Sequence, residues 1–183
     1  MPKFATLALL TTLLSASTSM ADVSIAATIK PLQLIAREIL GEKGSVSVLL
    51  AGNSPHSYAL TPSDRIALDN ADLVLWVGKE LETFIEGAID QLQGQATVLT
   101  VLEMQDLNRL NLENAQLDPH VWLDTRNALQ IARAISRELE ALDGENKAVY
   151  RQNLASFQNQ MDATEEELLR VTASLLATPF IVH

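Results

Sequence analysis

The side chains in this sequence best suited to chemistry are three histidines, His56, His120 and His183. His56 lies in the turn Ala51-Gly52-Asn53-Ser54-Pro55-His56, and His120 in Asp118-Pro119-His120-Val121-Trp122. His183 ends the apolar run Pro179-Phe180-Ile181-Val182-His183. Each follows an expected strand or an extended X-Pro step, where a loop can aim an imidazole into a cleft. Neutral imidazole is the commonest protein ligand for zinc, and three of them leave a fourth position open on a tetrahedral ion. Asp118 and Asp124 are placed to accept an imidazole N–H, a usual device in histidine metal sites. Asp124 also reads as a helix cap, the better account of it. Tyr58 and Trp122 read as wall and core residues rather than ligands, and Glu165-Glu166-Glu167 as a solvated helix face.

An open three-histidine site fits a zinc hydrolase as well as a binding protein. The remainder of an enzyme is missing. There is no His-Glu-x-x-His helix, no glutamate beside a candidate ligand and no nucleophile elbow. Metal binding without turnover is the better reading, with an adhesin on the same scaffold as a third class.

The elements that must position these residues read as alternating strands and helices. Strands are expected over residues 23–28, 45–50, 73–77 and 96–101, and helices over 32–40 and 82–92. Thr61-Pro62-Ser63-Asp64 has the form of a helix start, with Thr61 as cap, Pro62 in the first turn and Asp64 reaching back. Such alternation implies an α/β fold with a parallel-sheet lobe and flanking helices. Residues 103–116 read as loop or weak helix. Asp124 then opens a helix with Ala128, Ala132, Ile135, Leu139 and Leu142 on its apolar face, closed by Gly144. From residue 145 to 178 there is neither glycine nor proline, and Tyr150, Leu154, Phe157, Met161, Leu168, Val171 and Leu175 recur at helical spacing. A single helix of that length would extend about 50 Å, as a connecting rod. The expected organisation is a signal peptide at 1–21, a metal-binding α/β lobe at 22–144, a long linking helix at 145–178 and, at 179–183, the first strand of a truncated second lobe.

The first residues have the pattern of a secretory signal peptide. Lys3 precedes an apolar run over residues 4–14, and Ser19-Met20-Ala21 is a small-x-small cleavage site, so cleavage is expected before Asp22. That segment is too short to span a bilayer, and direct membrane insertion is not expected after cleavage. The chain has no cysteine, which excludes disulfides, thiolate metal sites and a lipoprotein anchor. A soluble periplasmic location follows most simply. A net charge of −10 disfavours nucleic acid and anionic membranes as partners.

The motifs converge on one family. Asn53-Ser54-Pro55-His56-Ser57-Tyr58-Ala59-Leu60-Thr61-Pro62-Ser63-Asp64 resembles the first metal-binding segment of ABC-transporter substrate-binding proteins for zinc and manganese. Asp118-Pro119-His120-Val121-Trp122-Leu123-Asp124 is similar to their second segment, and Phe180-Ile181-Val182-His183 to the start of their third. The resemblance implies an amino-terminal lobe, a rigid interdomain helix and one strand of a second lobe. It implies that His56, His120 and His183 are metal ligands, that the cargo is zinc with manganese as the alternative, and that the partner is a membrane permease served by a monomer. Histidine at the third position is what the zinc subgroup carries, whereas manganese proteins place a carboxylate there. That division agrees with the preference of zinc for imidazole and of manganese for oxygen. The sequence departs from many zinc members in one respect: residues 103–116 contain no histidine.

Overall fold

A computed structural model describes residues 22–50, 58–92, 94–112 and 116–173. His56, His183, the residue 1–21 segment and the run 179–183 lie outside the described residues.

The strands are β1 (Val23–Ala27), β2 (Gly44–Val48), β3 (Leu73–Trp76) and β4 (Thr97–Thr100). They form one parallel sheet in the order β2-β1-β3-β4. The observed limits fall within one or two residues of those expected, the usual uncertainty at element ends. Right-handed crossovers are the rule for such units, and the connecting helices are α1 (Lys30–Leu40), α2 (Pro62–Asp69) and α3 (Glu86–Gln91). The central strands β1 and β3 are almost wholly buried, which explains their continuous apolar sequences. Edge strand β2 alternates half-buried with exposed residues and carries serines outward. Its first residue must be glycine, because a Cβ at Gly44 would collide with the backbone carbonyl of Val23.

Two cores result from strand alternation. Ile25, Ala27, Leu73 and Leu75 face α1 and the later helices α4 (Thr125–Leu142) and α5 (Lys147–Thr172). Ala26, Val74 and Trp76 face the opposite way, onto Leu68 of α2 and Ile85, Ala88, Ile89 and Leu92 around α3. The result is a three-layer α/β lobe, as the alternating pattern implies. Because the strand order reverses between β1 and β3, the crevice beyond their carboxyl ends is where open α/β sheets bind ligands.

The helix expected over 82–92 is shorter than its sequence pattern. Glu82 is fully buried and does not join a helix. Its Oε2 accepts hydrogen bonds from the backbone N–H groups of Val77 (2.7 Å) and Gly78 (3.4 Å). The carboxylate therefore caps the end of β3, and burial pushes its pKa up despite those bonds. Gly78 has φ 144°, and the Leu102 side chain lies 3.2 Å from where a Cβ would sit. The chain turns sharply there, and α3 begins only at Glu86.

Asp124 is the N-cap of α4, its side chain accepting from Arg126 N at 2.9 Å. Thr61 and Asp64 form the expected reciprocal capping box at α2. The long helix α5 starts at Lys147, after a 3-10 turn at Gly144–Asn146, rather than at 145. Tyr150 and Phe157 are buried in the main core, with Leu154 and Met161 packed beside them. Further along, Leu168, Leu169 and Val171 are 50%, 61% and 49% exposed. Among the described residues the apolar stripe thus packs against the core as far as Met161.

Candidate metal centre

The His120 site is assembled on the segment that links β4 to α4. Asn111 and Leu117 pair through an isolated antiparallel bridge. Leu112 N donates to Gln116 O at 2.7 Å, and Asp118 N to Leu110 O at 2.9 Å. This places Asp118 beside the next turn, and Pro119, which is buried, keeps the residue before it extended. Val121–Leu123 form a single 3-10 turn, with Leu123 N donating to His120 O at 3.1 Å. His120 therefore stands at the entry of a short, hydrogen-bonded turn that runs straight into the Asp124 cap.

Asp118 fixes the imidazole. Its Oδ1 accepts from His120 N at 3.0 Å and meets His120 Nδ1 at 2.7 Å. The backbone N–H of His120, and then its ring, hold the Asp118 carboxyl below the usual carboxylate range. An ionised carboxylate can only accept, so Nδ1 carries the proton and Nε2 is the basic nitrogen. A carboxylate behind the ring nitrogen remote from the metal is how histidine ligands are oriented and made more basic. The Trp122 ring meets the imidazole edge-on, with centroids 5.3 Å apart, and restricts its rotation. The His120 side chain keeps 39% of its surface exposed. It borders a cavity of about 320 Å³ whose other walls include Leu110, Leu123 and Asp124.

Of the three expected ligands, only His120 falls among the described residues; His56 and His183 lie outside them. Among the described residues, no group of three or more His, Cys, Asp or Glu side chains is placed to hold a metal. The segment that follows His56 is anchored firmly. Tyr58 donates its hydroxyl to Asp64 Oδ2 at 2.8 Å and packs edge-on against Phe84, with centroids 5.5 Å apart. Thr61 N donates to the same carboxylate oxygen at 2.7 Å. Burial raises the Asp64 pKa, but hydrogen bonds from Thr61 and Tyr58 outweigh it and the net shift is downward. On the other side, Leu49 N and Leu50 N bond to Ala27 O and Thr28 O, both at 3.0 Å, at the carboxyl end of the sheet. Tyr58 and Trp122 pack half-buried against the main core, and Asp124 serves as a cap while Asp118 is the acceptor for the ring.

Two residues of the site are missing from the sequence reading. Asn127 is buried and bonds to both Asn108 and Val121. Its signal was legible: an amide four residues before Ile131, on the buried face of α4. Asn108 lies in the 103–116 segment, where nothing in the residue pattern singles it out.

These features define a class: a parallel α/β lobe that presents a carboxylate-oriented histidine on the loop leading from its last strand. Residues 25–183 match the family described as zinc-uptake complex component A, periplasmic (ZnuA), and the chain belongs to that family. The high-affinity zinc uptake system protein ZnuA of Paracoccus denitrificans is 28% identical over 182 residues, spanning 80% of this chain and 56% of the relative. The manganese ABC transporter substrate-binding lipoprotein scaA of Streptococcus gordonii is 29% identical over 164 residues, spanning 84% of this chain and 52% of the relative. The solved periplasmic zinc-binding protein TroA of Treponema pallidum superposes with a TM-score of 0.77 at 29% identity, covering 84% of this chain and 56% of that one. The chain thus spans little more than half the length of these relatives. The family is one of transport components rather than enzymes. Among the described residues no helix is long and apolar enough to cross a membrane.

Proposed function

We propose that this chain captures zinc in the periplasm and delivers it to an ABC-transporter permease, with His56, His120 and His183 as ligands and residues 1–21 removed as a signal peptide. The observation that carries the reading is the Asp118–His120 pair. A carboxylate 2.7 Å from Nδ1 leaves Nε2 as the basic nitrogen of a half-exposed imidazole at the mouth of a cavity. That is the preparation of a metal ligand. Residues 22–144 form the metal-binding lobe in this proposal, 145–178 the linking helix and 179–183 the entry to a second lobe. The exposed stripe from Leu168 onward supports that division, since it offers apolar surface beyond the lobe. A monomer suffices for capture and delivery.

Manganese is the second reading, favoured by a manganese-transport relative that is 29% identical, against 28% for the Paracoccus zinc-uptake protein. The ligand set separates the two: imidazoles suit zinc, and carboxylate oxygens suit manganese. A hydrolase is disfavoured by the site itself, because the acid nearest His120 is committed to its Nδ1 and backbone N–H. Adhesion has no observation of its own in support. Calorimetric titration of the full chain with zinc and with manganese tests the proposal. One tight zinc site, weakened by alanine at each of the three histidines, is expected. Tighter manganese binding, or a zinc affinity untouched by all three substitutions, would overturn it.

A further inference from the structure

We propose that Asn127 is a positioning residue for the metal, which locks the turn carrying His120 and thereby sets how long a bound ion resides. The inference rests on His120 being a ligand. Asn127 is 1% exposed, and each polar atom of its amide is used. Nδ2 donates to Val121 O at 2.9 Å and to Asn108 O at 2.8 Å, while Oδ1 accepts from Asn108 N at 2.7 Å. Val121 is the residue after His120. Asn108 lies two residues before Leu110, whose carbonyl accepts from Asp118 N, and its own side chain donates to Asp124 Oδ2 at 2.8 Å. One buried amide on a helix therefore grips the chain both before Asp118 and after His120.

An apolar residue would serve the helix better. Position 127 lies on the buried face of α4, whose other members include Ile131, Ile135 and Leu139. Burying an amide costs free energy unless its bonds are all made, and here all of them go to one loop. Leu107 and Val121 anchor that loop in the main core, but between them Leu110 is 64% exposed, and Leu123 beyond the turn is 75% exposed. The clamp adds polar ties between the two ends of the loop that this apolar packing does not supply. Ordering it during folding removes that entropy cost from the binding step, which is the general route by which preorganisation raises affinity. The expected consequence of losing the clamp is faster metal release.

The test compares the full chain with Asn127→Ala and the milder Asn127→Ser, which retains one donor. Asn153→Ala serves as the structural control, since Asn153 ties α5 to Ile39 O at 2.9 Å, away from the loop. Zinc affinity, zinc release rate, the visible absorption of the cobalt-substituted protein and thermal stability are measured for each. Asn127→Ala should bind zinc roughly tenfold more weakly, as changes behind a ligand typically do, with a faster release rate and an altered cobalt spectrum. Asn127→Ser should lie between. Asn153→Ala should melt earlier yet keep wild-type affinity and spectrum. Wild-type affinity and spectrum in both Asn127 variants would overturn the assignment, and so would failure of both to fold, which would make Asn127 a folding residue. If His120→Ala alone leaves affinity unchanged, the ligand reading fails and this assignment falls with it.

Discussion

Two polar clusters hold this lobe, and they are built for opposite ends. At the His120 turn, the carboxylate of Asp118 is partly exposed and faces a half-exposed imidazole beside an open cavity. At the junction of α4 and α5, Asp143 is buried, and its Oδ2 accepts from the hydroxyl of fully buried Tyr150 at 2.6 Å and from Asn146 Nδ2 at 2.7 Å. The first cluster stays at the surface, with the His120 side chain 39% exposed. The second closes on itself, apart from Asp143 Oδ1, which has no partner. Type of residue does not distinguish them, since both pair an acid with an aromatic ring system. Burial does. A closed polar cluster spends its bonds on the fold, and a half-exposed one borders a cavity where a ligand can approach.

The comparison is broken most severely at Tyr150. Truncation to alanine removes a fully buried ring and should cost roughly 3–5 kcal/mol, the range for large aromatic core residues. Urea denaturation of Tyr150→Ala should show that loss, while the folded fraction retains wild-type zinc affinity. A changed affinity in the folded protein would mean that the junction reaches the metal site.

His120→Ala reverses the pattern. Loss of a ligand should weaken zinc by more than the about 100-fold that changes behind a ligand reach. Stability without metal should shift by no more than about 0.5 kcal/mol, as for ordinary exposed positions. A variant that loses affinity and also melts several degrees earlier would place His120 in the fold as well as in the site. Asp118→Asn sharpens the same side. Asparagine preserves an acceptor for Nδ1 but not the charge, so zinc affinity should fall about tenfold with little change in stability. Unchanged affinity would mean that the backbone of the turn, not the carboxylate, orients the ring.

How much of this was legible depended on whether a feature was local. The capping box at Thr61 and Asp64, the Asp124 cap, the glycine closing α1 and the four strands all appear where local pattern put them. Glu82 was misread because helix propensity and spacing say nothing of a carboxylate turned back onto the end of a strand. The α5 stripe reads as uniform in the sequence, yet among the described residues its packing against the core reaches only to Met161, because Leu168 and Val171 have no core to meet. At the site, the Asp118–His120 pair lies two residues apart and was foreseeable. The Asn108–Asn127 bridge spans nineteen positions, and no local pattern encodes it. His56 and His183 remain assigned by motif alone.

The smallest expected effect concerns acid. Hydrogen bonds from Tyr150, and less so from Asn146, outweigh burial and hold the Asp143 carboxyl below its ordinary value. A carboxyl whose pKa is lower in the folded than in the unfolded chain stabilises the fold above the unfolded value, about 3.9, and loses that contribution as pH falls toward the folded value. Asp143→Asn removes the titration but leaves a neutral amide of nearly the same size against Tyr150. At about pH 7 the variant should therefore be less stable by roughly 1.5–3 kcal/mol, the range for hydrogen bonds to a charged group. As pH falls below about 3.9 the unfolded chain takes up the proton first, so the wild-type advantage and the gap should narrow by about pH 3. Other depressed carboxylates, Asp64 and Glu140 among them, weaken both proteins alike and cancel in the difference. Urea midpoints of the two proteins at both pH values measure it. A gap that stays constant would mean that Asp143 contributes through shape and not through charge, and the contrast between the closed cluster and the open one would then rest on burial alone.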